Sequence, residues 1–112
     1  LLKNLWGRAR PNDILYFGGV YDFTPWYKIS NSCVSNCSFV SGDASVGFLL
    51  ALFYFVTKKN IYLYLGVITG SLLGVIRISA GGHFLSDIIF SQIVVLITVM
   101  LFFVLYKRLY DK

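Results

Sequence analysis

The sequence lacks glutamate altogether, and histidine, methionine, proline and cysteine are scarce. All five acids are aspartates, there is one histidine, and only 13% of the 112 residues are charged. So few charges beside 57% hydrophobic residues exclude an ordinary soluble domain and are typical of a membrane protein. The net charge of +5 does not indicate nucleic-acid binding, because the cations stand at the ends of apolar runs and form no basic stripe with interleaved aromatics.

The apolar residues form three runs that predict an all-α, integral membrane helical bundle. The runs cover about Ala44 to Thr57, Ile61 to Ile76 and Phe84 to Tyr106. Only the last is long enough to span, since about 20 residues cross a bilayer core, and the first two are short for that. Ser41 is suited to cap the first run, and Lys58-Lys59-Asn60 predicts a tight turn that joins the first two as a hairpin.

Glycine recurs every fourth residue along the second run, at Gly66, Gly70 and Gly74. These positions share one helix face, and in a membrane such a face lets another backbone approach closely. Gly47 and Ala51 offer a matching small face on the first run. We therefore expect these two helices to pack against each other.

The segment before the apolar runs is mixed in composition. Leu1 to Arg10 predicts a short interfacial helix that Pro11 ends, and on it Lys3 and Arg10 are two turns apart, so both can point the same way. Residues 12–39 predict an aromatic-rich loop, which suits either the headgroup layer or a lid that packs on itself. Cys33 and Cys37 lie in this loop, and a disulfide between them depends on local geometry, so bridged and free thiols both stay open.

Residues 1–112 are expected to form a single domain, because the chain is too short for two. It begins at Leu1 without a methionine and enters charged sequence at once, with no apolar leader. We expect it to be a piece of a longer protein that lacks N-terminal membrane helices.

The cations predict an orientation in the membrane. Helical alternation puts five of them on one side, which the positive-inside rule makes cytoplasmic. The other polar clusters then converge on the extracytoplasmic face, periplasmic or lumenal. The five cytoplasmic cations are Lys58, Lys59, Lys107, Arg108 and Lys112.

The stretch from Arg77 to Asp87 puts an arginine, the single histidine and a carboxylate close together. His83 precedes Asp87 by four residues, so on a helix the two share a face, as a nucleophile and the carboxylate that orients it would. Gly81-Gly82 can bend Arg77 back towards them. The alternative is a polar patch buried between helices. Ionisable groups are costly in membrane-like segments and usually mark a site, which favours the functional interpretation.

Three cations on the same side, Lys3, Arg10 and Arg77, predict a phosphate clamp. Backbone N–H groups around Gly42, at a helix start, can add donors. A histidine nucleophile beside the clamp would attack phosphorus in line while the cations neutralise its oxygens. This scheme needs no metal or other cofactor, and the sequence has no carboxylate cluster to bind a metal.

The spacing of these residues resembles that of the type 2 phosphatidic acid phosphatases, whose site is shared by vanadium haloperoxidases and glucose-6-phosphatase. That family has Lys, six residues, Arg-Pro; then Pro-Ser-Gly-His; then Ser-Arg, five residues, His, three residues, Asp. The order and the gaps match over most of the chain. The corresponding residues are Lys3 with Arg10-Pro11, Val40-Ser41-Gly42-Asp43, and Ile76-Arg77 with His83 and Asp87.

The resemblance implies a role for each matching residue. His83 would form a phosphohistidine intermediate, and Asp87 would orient it. Ser41 and the Gly42 backbone would join the clamp of Lys3, Arg10 and Arg77. The family core has six membrane helices, so this chain would supply about its last four elements: three membrane helices preceded by the N-terminal helix and loop.

Two departures from the family pattern matter. Ile76 replaces a serine that can touch phosphate, which implies a modest loss. Asp43 replaces the histidine that protonates the leaving oxygen, and three explanations stay open. Burial keeps Asp43 protonated as a general acid, or the leaving group needs little protonation, or the site is degenerate.

The resemblance implies a membrane-bound phosphatase that removes phosphate from a lipid or lipid-linked substrate. A clamp at the membrane surface reaches amphiphiles most easily, and the candidates are phosphatidate-type lipids, polyprenyl diphosphate and lipid A phosphates. The alternatives are a non-catalytic scaffold or phospholipid-binding relative, and a structural bundle with an accidental polar cluster. No nucleic-acid partner is expected, and the sequence does not indicate an oligomeric state.

Overall fold

The computed structural model describes residues 2–110, and every regular element in that range is helical. Leu1, where the predicted first helix begins, and Lys112, one of the predicted cytoplasmic cations, lie outside the described residues. Short 3-10 turns cover Pro11–Asp13, Leu15–Phe17 and Leu49–Ala51. The α-helices are α1 (Leu2–Trp6), α2 (Gly42–Phe48), α3 (Leu52–Thr57), α4 (Ile61–Ser79) and α5 (Leu85–Tyr110).

The three predicted apolar runs are helices. The first run forms α2, a 3-10 turn and α3 in unbroken succession. The second continues three residues beyond its predicted end at Ile76, so α4 has 19 residues and the prediction that it is short for a span was wrong. Both α4 and α5 are long and apolar enough to cross a membrane, and only 17% and 22% of their apolar windows are buried. A soluble core helix would be mostly covered, so these helices fit a membrane helical domain.

Small residues bring α2 and α4 into close contact, as the glycine spacing predicts. A Cβ added to Gly47 would lie 2.6 Å from the Cα of Gly70, and one added to Gly66 would lie 2.6 Å from the backbone nitrogen of Ala51. The ring of Phe48 lies against Gly70. Backbones this close exclude any side chain at these positions, so the pairing of the two helices depends on glycine.

A compact apolar cluster connects α2 to α5 and is buried in the described bundle. It consists of Ala44, Phe48, Ile88, Val95 and Val99.

The predicted tight turn closes the hairpin between α3 and α4. Lys58 ends α3 in the left-handed conformation, with φ of 57°. Its Nζ lies 4.2 Å from the centre of the Phe103 ring, one turn before Lys107 on α5. The turn and the C-terminal part of α5 therefore lie at the same end of the bundle, and the start of α2 lies at the other.

The N-terminal helix is shorter than predicted. It ends at Trp6, because Gly7 adopts a φ of +59° that leaves the helical region. The predicted end at Pro11 was wrong, and Lys3 and Arg10 do not share a helix.

The segment from 12 to 39 is a loop, and a disulfide joins Cys33 to Cys37. Trp26 and Phe39 pack on Phe90 of α5, with ring centres 4.8 and 5.2 Å away. Tyr16, by contrast, is 84% exposed. The loop thus packs on the bundle as a lid and also presents aromatic side chains outwards, so it has features of both alternatives.

Candidate active site

His83 is buried at the entrance to α5 and has no partner. It is 1% exposed, and among the residues described neither ring nitrogen makes a hydrogen bond. A buried imidazole without a partner costs free energy and needs an explanation, such as a ligand. His83 also lines a cavity of about 450 Å³ together with Asn12, Gly81 and the apolar side chains of Phe17 and Ile78. His83 therefore borders this cavity, with both of its ring nitrogens buried.

The geometry of the histidine and the carboxylate differs from the prediction. His83 precedes α5, which begins at Leu85, so the two side chains do not share a helix. The His83 Nδ1 nevertheless lies 3.7 Å from Asp87 Oδ2. That distance is longer than a hydrogen bond, so the two side chains are neighbours without a direct hydrogen bond.

The hydrogen bonds of Asp87 go to other residues. The Nη1 of Arg8 donates to Oδ1 at 2.7 Å, and the backbone N–H of Phe84 donates to Oδ2 at 2.8 Å. The hydroxyl of Ser38 also donates to Oδ2. Asp87 is fully buried, and these three donors compensate its lost hydration.

Lys3 reaches the start of α2. Its Nζ lies 3.9 Å from the position that a Cβ on Gly42 would occupy. Partial burial lowers the pKa of Lys3, and the nearby Arg10 and Arg77 cations lower it further, while Asp43 opposes them. A partly desolvated ammonium among other cations is a favourable position for an anion.

Arg10 approaches the glycine bend before His83. Its Nη1 lies 3.8 Å from where a Cβ on Gly82 would stand, and its Nε donates to the carbonyl of Asn36 at 3.1 Å. Gly81 makes the bend with a φ of +69°, and the N–H of Gly82 donates to the carbonyl of Arg77 at 2.9 Å. The bend therefore joins the end of α4 to the histidine, as the Gly-Gly pair predicts.

Arg77 pairs with Asp43. The Nε donates to Oδ2 at 2.6 Å, and the two side chains are 41% and 50% exposed. Asp43 is therefore not buried in this arrangement, whereas the first of the three explanations requires burial.

Ser41 caps α2 and is fully buried. Its hydroxyl accepts from the N–H of Ala44, as predicted for an N-cap, and its N–H donates to the carbonyl of Asp87. The structure therefore uses Ser41 to join the start of α2 to the start of α5, with its hydroxyl turned towards the helix. Among residues 2–110, no group of three or more His, Cys, Asp or Glu side chains is arranged to hold a metal ion.

Two residues at the candidate site, Arg8 and Ser38, are not part of the motif pattern. Arg8 falls between Lys3 and Arg10 in the first piece, where the pattern leaves six positions free, and Ser38 lies in the loop. The only signal for Arg8 is a second arginine close to a proline, and a serine among several loop serines carries no signal at all.

The fold and the site define the class of protein. Residues 1–112 match the family model of the PAP2 superfamily, and the chain belongs to that superfamily. Among curated proteins, it is 41% identical over 116 residues to the lipid A 4'-phosphatase of Francisella tularensis subsp. novicida strain U112. It is 41% identical over 92 residues to that of Rhizobium leguminosarum, and 42% identical over 91 residues to that of Rhizobium etli.

The chain spans about half the length of these relatives or less. The Francisella alignment covers 100% of this chain and 51% of the relative, and the two rhizobial alignments cover 80% and 79% of this chain and 40% and 35% of the relatives. No solved structure matches the chain.

Proposed function

We propose that this chain is the catalytic region of a membrane-bound phosphatase. It hydrolyses a phosphate monoester or diphosphate of a lipid or lipid-linked substrate at the extracytoplasmic face, through a phosphohistidine on His83. The observation that carries the proposal is the buried, unpartnered His83 imidazole, which lines a cavity and lies 3.7 Å from Asp87. Relatives named for their action on lipid A support a phosphorylated glycolipid as the substrate.

Binding of the substrate phosphate is assigned to the clamp. Lys3 lies beside Gly42 and Arg10 lies beside Gly82, and both cations can donate to phosphate oxygens. Arg77 joins them when the substrate phosphate replaces Asp43 as the partner of its guanidinium. These charges neutralise the oxygens of the phosphoryl group as it is transferred.

Transfer then proceeds in two balanced steps. Asp87 orients the ring through Nδ1, and the other nitrogen of His83 attacks phosphorus while the ester P–O bond breaks and the leaving oxygen takes a proton. Water next attacks the phosphohistidine and gives a proton to the Asp43 carboxylate, the P–N bond breaks, and inorganic phosphate departs. Both steps use side chains of this chain, with the clamp holding the same three phosphoryl oxygens throughout.

Asp43 stands where the family has its proton donor, and substrate binding makes it suitable for that task. Once the phosphate has taken Arg77, the carboxylate is left beside an anion without its cation. Repulsion from that anion favours uptake of a proton, which Asp43 then gives to the leaving oxygen.

The test is phosphate release by the full-length protein in detergent, on a panel of phosphorylated lipids and diphosphates. His83→Ala should abolish release, and because His83 is the only histidine in this chain, an acid-labile phosphoryl label within it should disappear in the same variant. Release at equal rates by wild type and His83→Ala would remove the enzyme assignment.

The second candidate is a non-catalytic, phospholipid-binding relative with a degenerate site. Asp43 in place of histidine, already paired with Arg77, is the observation that favours it. Under that alternative, phosphorylated lipids would bind to wild type and to His83→Ala equally, and neither would release phosphate.

A further inference from the structure

We propose that Arg8, together with Ser38, is a positioning residue that holds Asp87 in the orientation His83 needs. The proposal rests on the function proposed above and adds to it two residues outside the three motif pieces. Its basis is the convergence of both side chains on one buried carboxylate.

Arg8 is buried, and its Nε and Nη1 donate to groups of the protein, which distinguishes it from the three cations assigned to the clamp. It is 2% exposed, its Nε donates to the carbonyl of Thr24 at 2.8 Å, and its Nη1 donates both to Asp87 and to the Ser86 hydroxyl. The guanidinium carbon lies 4.1 Å from the centre of the Phe84 ring. A guanidinium that is buried and already bonded to a carboxylate is poorly placed to bind a phosphate as well.

The donors of Asp87 divide its two oxygens between them. Arg8 binds Oδ1, while Ser38 and the Phe84 N–H bind Oδ2, the oxygen that faces His83. A carboxylate fixed through both oxygens cannot rotate about its terminal torsion. The direction in which Oδ2 faces the imidazole is thus determined by Arg8 and Ser38.

Arg8 and Ser38 also depend on each other. The N–H of Ser38 donates to the carbonyl of Arg8 at 2.9 Å, so the first motif piece and the loop approach Asp87 as one unit. A buried ion pair contributes little net stability compared with an apolar pair of the same size. A charged residue here is therefore better explained by its effect on the Asp87 carboxylate than by stability.

This arrangement predicts that Arg8 affects the rate of turnover and not the binding of substrate. Arg8 acts through Asp87 and His83, so its loss should lower kcat and leave KM nearly unchanged. Arg8→Ala should lower kcat about 100-fold, the effect expected when a reacting group is misplaced by about 1 Å. Ser38→Ala, which removes one donor of three, should lower kcat about tenfold, and Arg8→Lys should recover part of the loss because the charge remains without the fork.

The experiment measures kcat and KM for these variants of the full-length protein on a phosphorylated glycolipid. Arg10→Ala, which removes a clamp residue, is the comparison and should raise KM. Lys28→Ala is the control, since Lys28 is exposed in the loop. A rise in KM with unchanged kcat in Arg8→Ala would overturn the proposal and make Arg8 a substrate-binding residue.

A double variant tests whether Arg8 acts through Asp87. Arg8→Ala combined with Asp87→Asn should turn over no more slowly than Asp87→Asn alone, because the second change removes what Arg8 positions. Losses that multiply would contradict the proposal.

A spectroscopic readout distinguishes failure of this proposal from failure of the proposed function. Nitrogen-15 histidine labels only His83 within this chain, and its imidazole signals report the environment of the ring whether or not phosphate is released. The signals should shift in Arg8→Lys and Ser38→Ala and stay unchanged in Lys28→Ala. Unchanged signals in both site variants would overturn the positioning role, even if Arg8→Ala does not fold. Absence of phosphate release from wild type would instead overturn only the proposed phosphatase activity.

Discussion

Asp43 and Arg77 form an ion pair that, in the proposed mechanism, the substrate phosphate has to replace. Their ion pair is half exposed, so its net contribution to stability is small, and a phosphate dianion is a stronger partner for the guanidinium than one carboxylate. The pair thus keeps Arg77 oriented towards the start of α2 at little cost to phosphate binding. In the proposed mechanism, Asp43 would therefore change partners in every catalytic cycle.

Asp43→Asn tests whether this aspartate replaces the histidine of the family pattern. We expect kcat to fall about 100-fold with a phosphorylated glycolipid, whose sugar oxygen needs a proton, and less than about tenfold with p-nitrophenyl phosphate, whose leaving group does not. Asp43→His is the matched control and should retain turnover of both substrates. An equal loss on the two substrates would show that Asp43 is not the acid.

At the residue scale, motif spacing predicts the candidate reacting groups but not the side chains that hold them in place. His83, Asp87 and the three cations assigned to the clamp are recognisable as candidates because their types and intervals are characteristic. Arg8 and Ser38 are not, since what they contact is determined by how a loop folds over a helix start. Ser41 shows the same limit: the sequence predicts both a cap and a phosphate ligand, and the buried hydroxyl serves the cap.

At the element scale, the disulfide loop connects the clamp to the attacking pair. The carbonyl of Asn36, inside the loop, accepts from Arg10, and Ser38 directly follows the bridged Cys37. The short ring closed by the disulfide, Cys33 to Cys37, therefore supports two parts of the site at once, although none of its residues lines the cavity.

Opening the disulfide should lower activity. In Cys33→Ser/Cys37→Ser the loop gains freedom, so we expect kcat/KM to fall roughly tenfold, with a steady-state phosphate assay as the measurement. Reductant should lower wild-type activity to the same level and leave the double variant unchanged. If complete reduction left the wild-type rate unchanged, the disulfide would not be needed to support the site.

The contact between α2 and α4 is the part of the fold that the sequence predicts best, because a four-residue glycine interval has few other uses in a membrane helix. Gly47→Leu should disrupt it, since even the first side-chain carbon would lie 2.6 Å from the Gly70 Cα. Overpacking costs about 1–3 kcal/mol or more, so the midpoint of thermal unfolding in detergent should fall by several degrees.

Val46→Leu is the matched control for that change. It introduces the same residue one position away, where Val46 is 65% exposed, and it should leave the unfolding midpoint nearly unchanged. Equal shifts in the two variants would mean that the close approach of the two helices does not determine stability.

At the scale of the whole molecule, the lysines of the hairpin turn and the candidate site lie at opposite ends of the bundle. Lys58 and Lys59 close the hairpin at one end, and the clamp and His83 lie at the other. The sequence predicts this arrangement from alternation alone. It does not predict how the loop covers the site, because irregular backbone follows no period.

Labelling from the two sides of the membrane tests the orientation. Lys59→Cys should react with an impermeant thiol reagent only after the membrane is opened, and Tyr16→Cys, at a position 84% exposed in the loop, should react in intact cells. Both cysteines of this chain are in the disulfide, so the chain itself adds no free thiol to the background. Labelling of position 59 in intact cells would reverse the orientation.

The length of the helical run from α2 to α3 determines how far the site lies from water. Its 16 residues extend about 25 Å, whereas the hydrocarbon core is about 30 Å thick. In the proposed orientation, with Lys58 and Lys59 at one surface, Gly42 would lie roughly 5 Å below the other. A site at that depth would favour an anchored lipid, which presents its phosphate near that level while its chains stay in the bilayer, over a water-soluble phosphate ester, which would have to leave water to reach it.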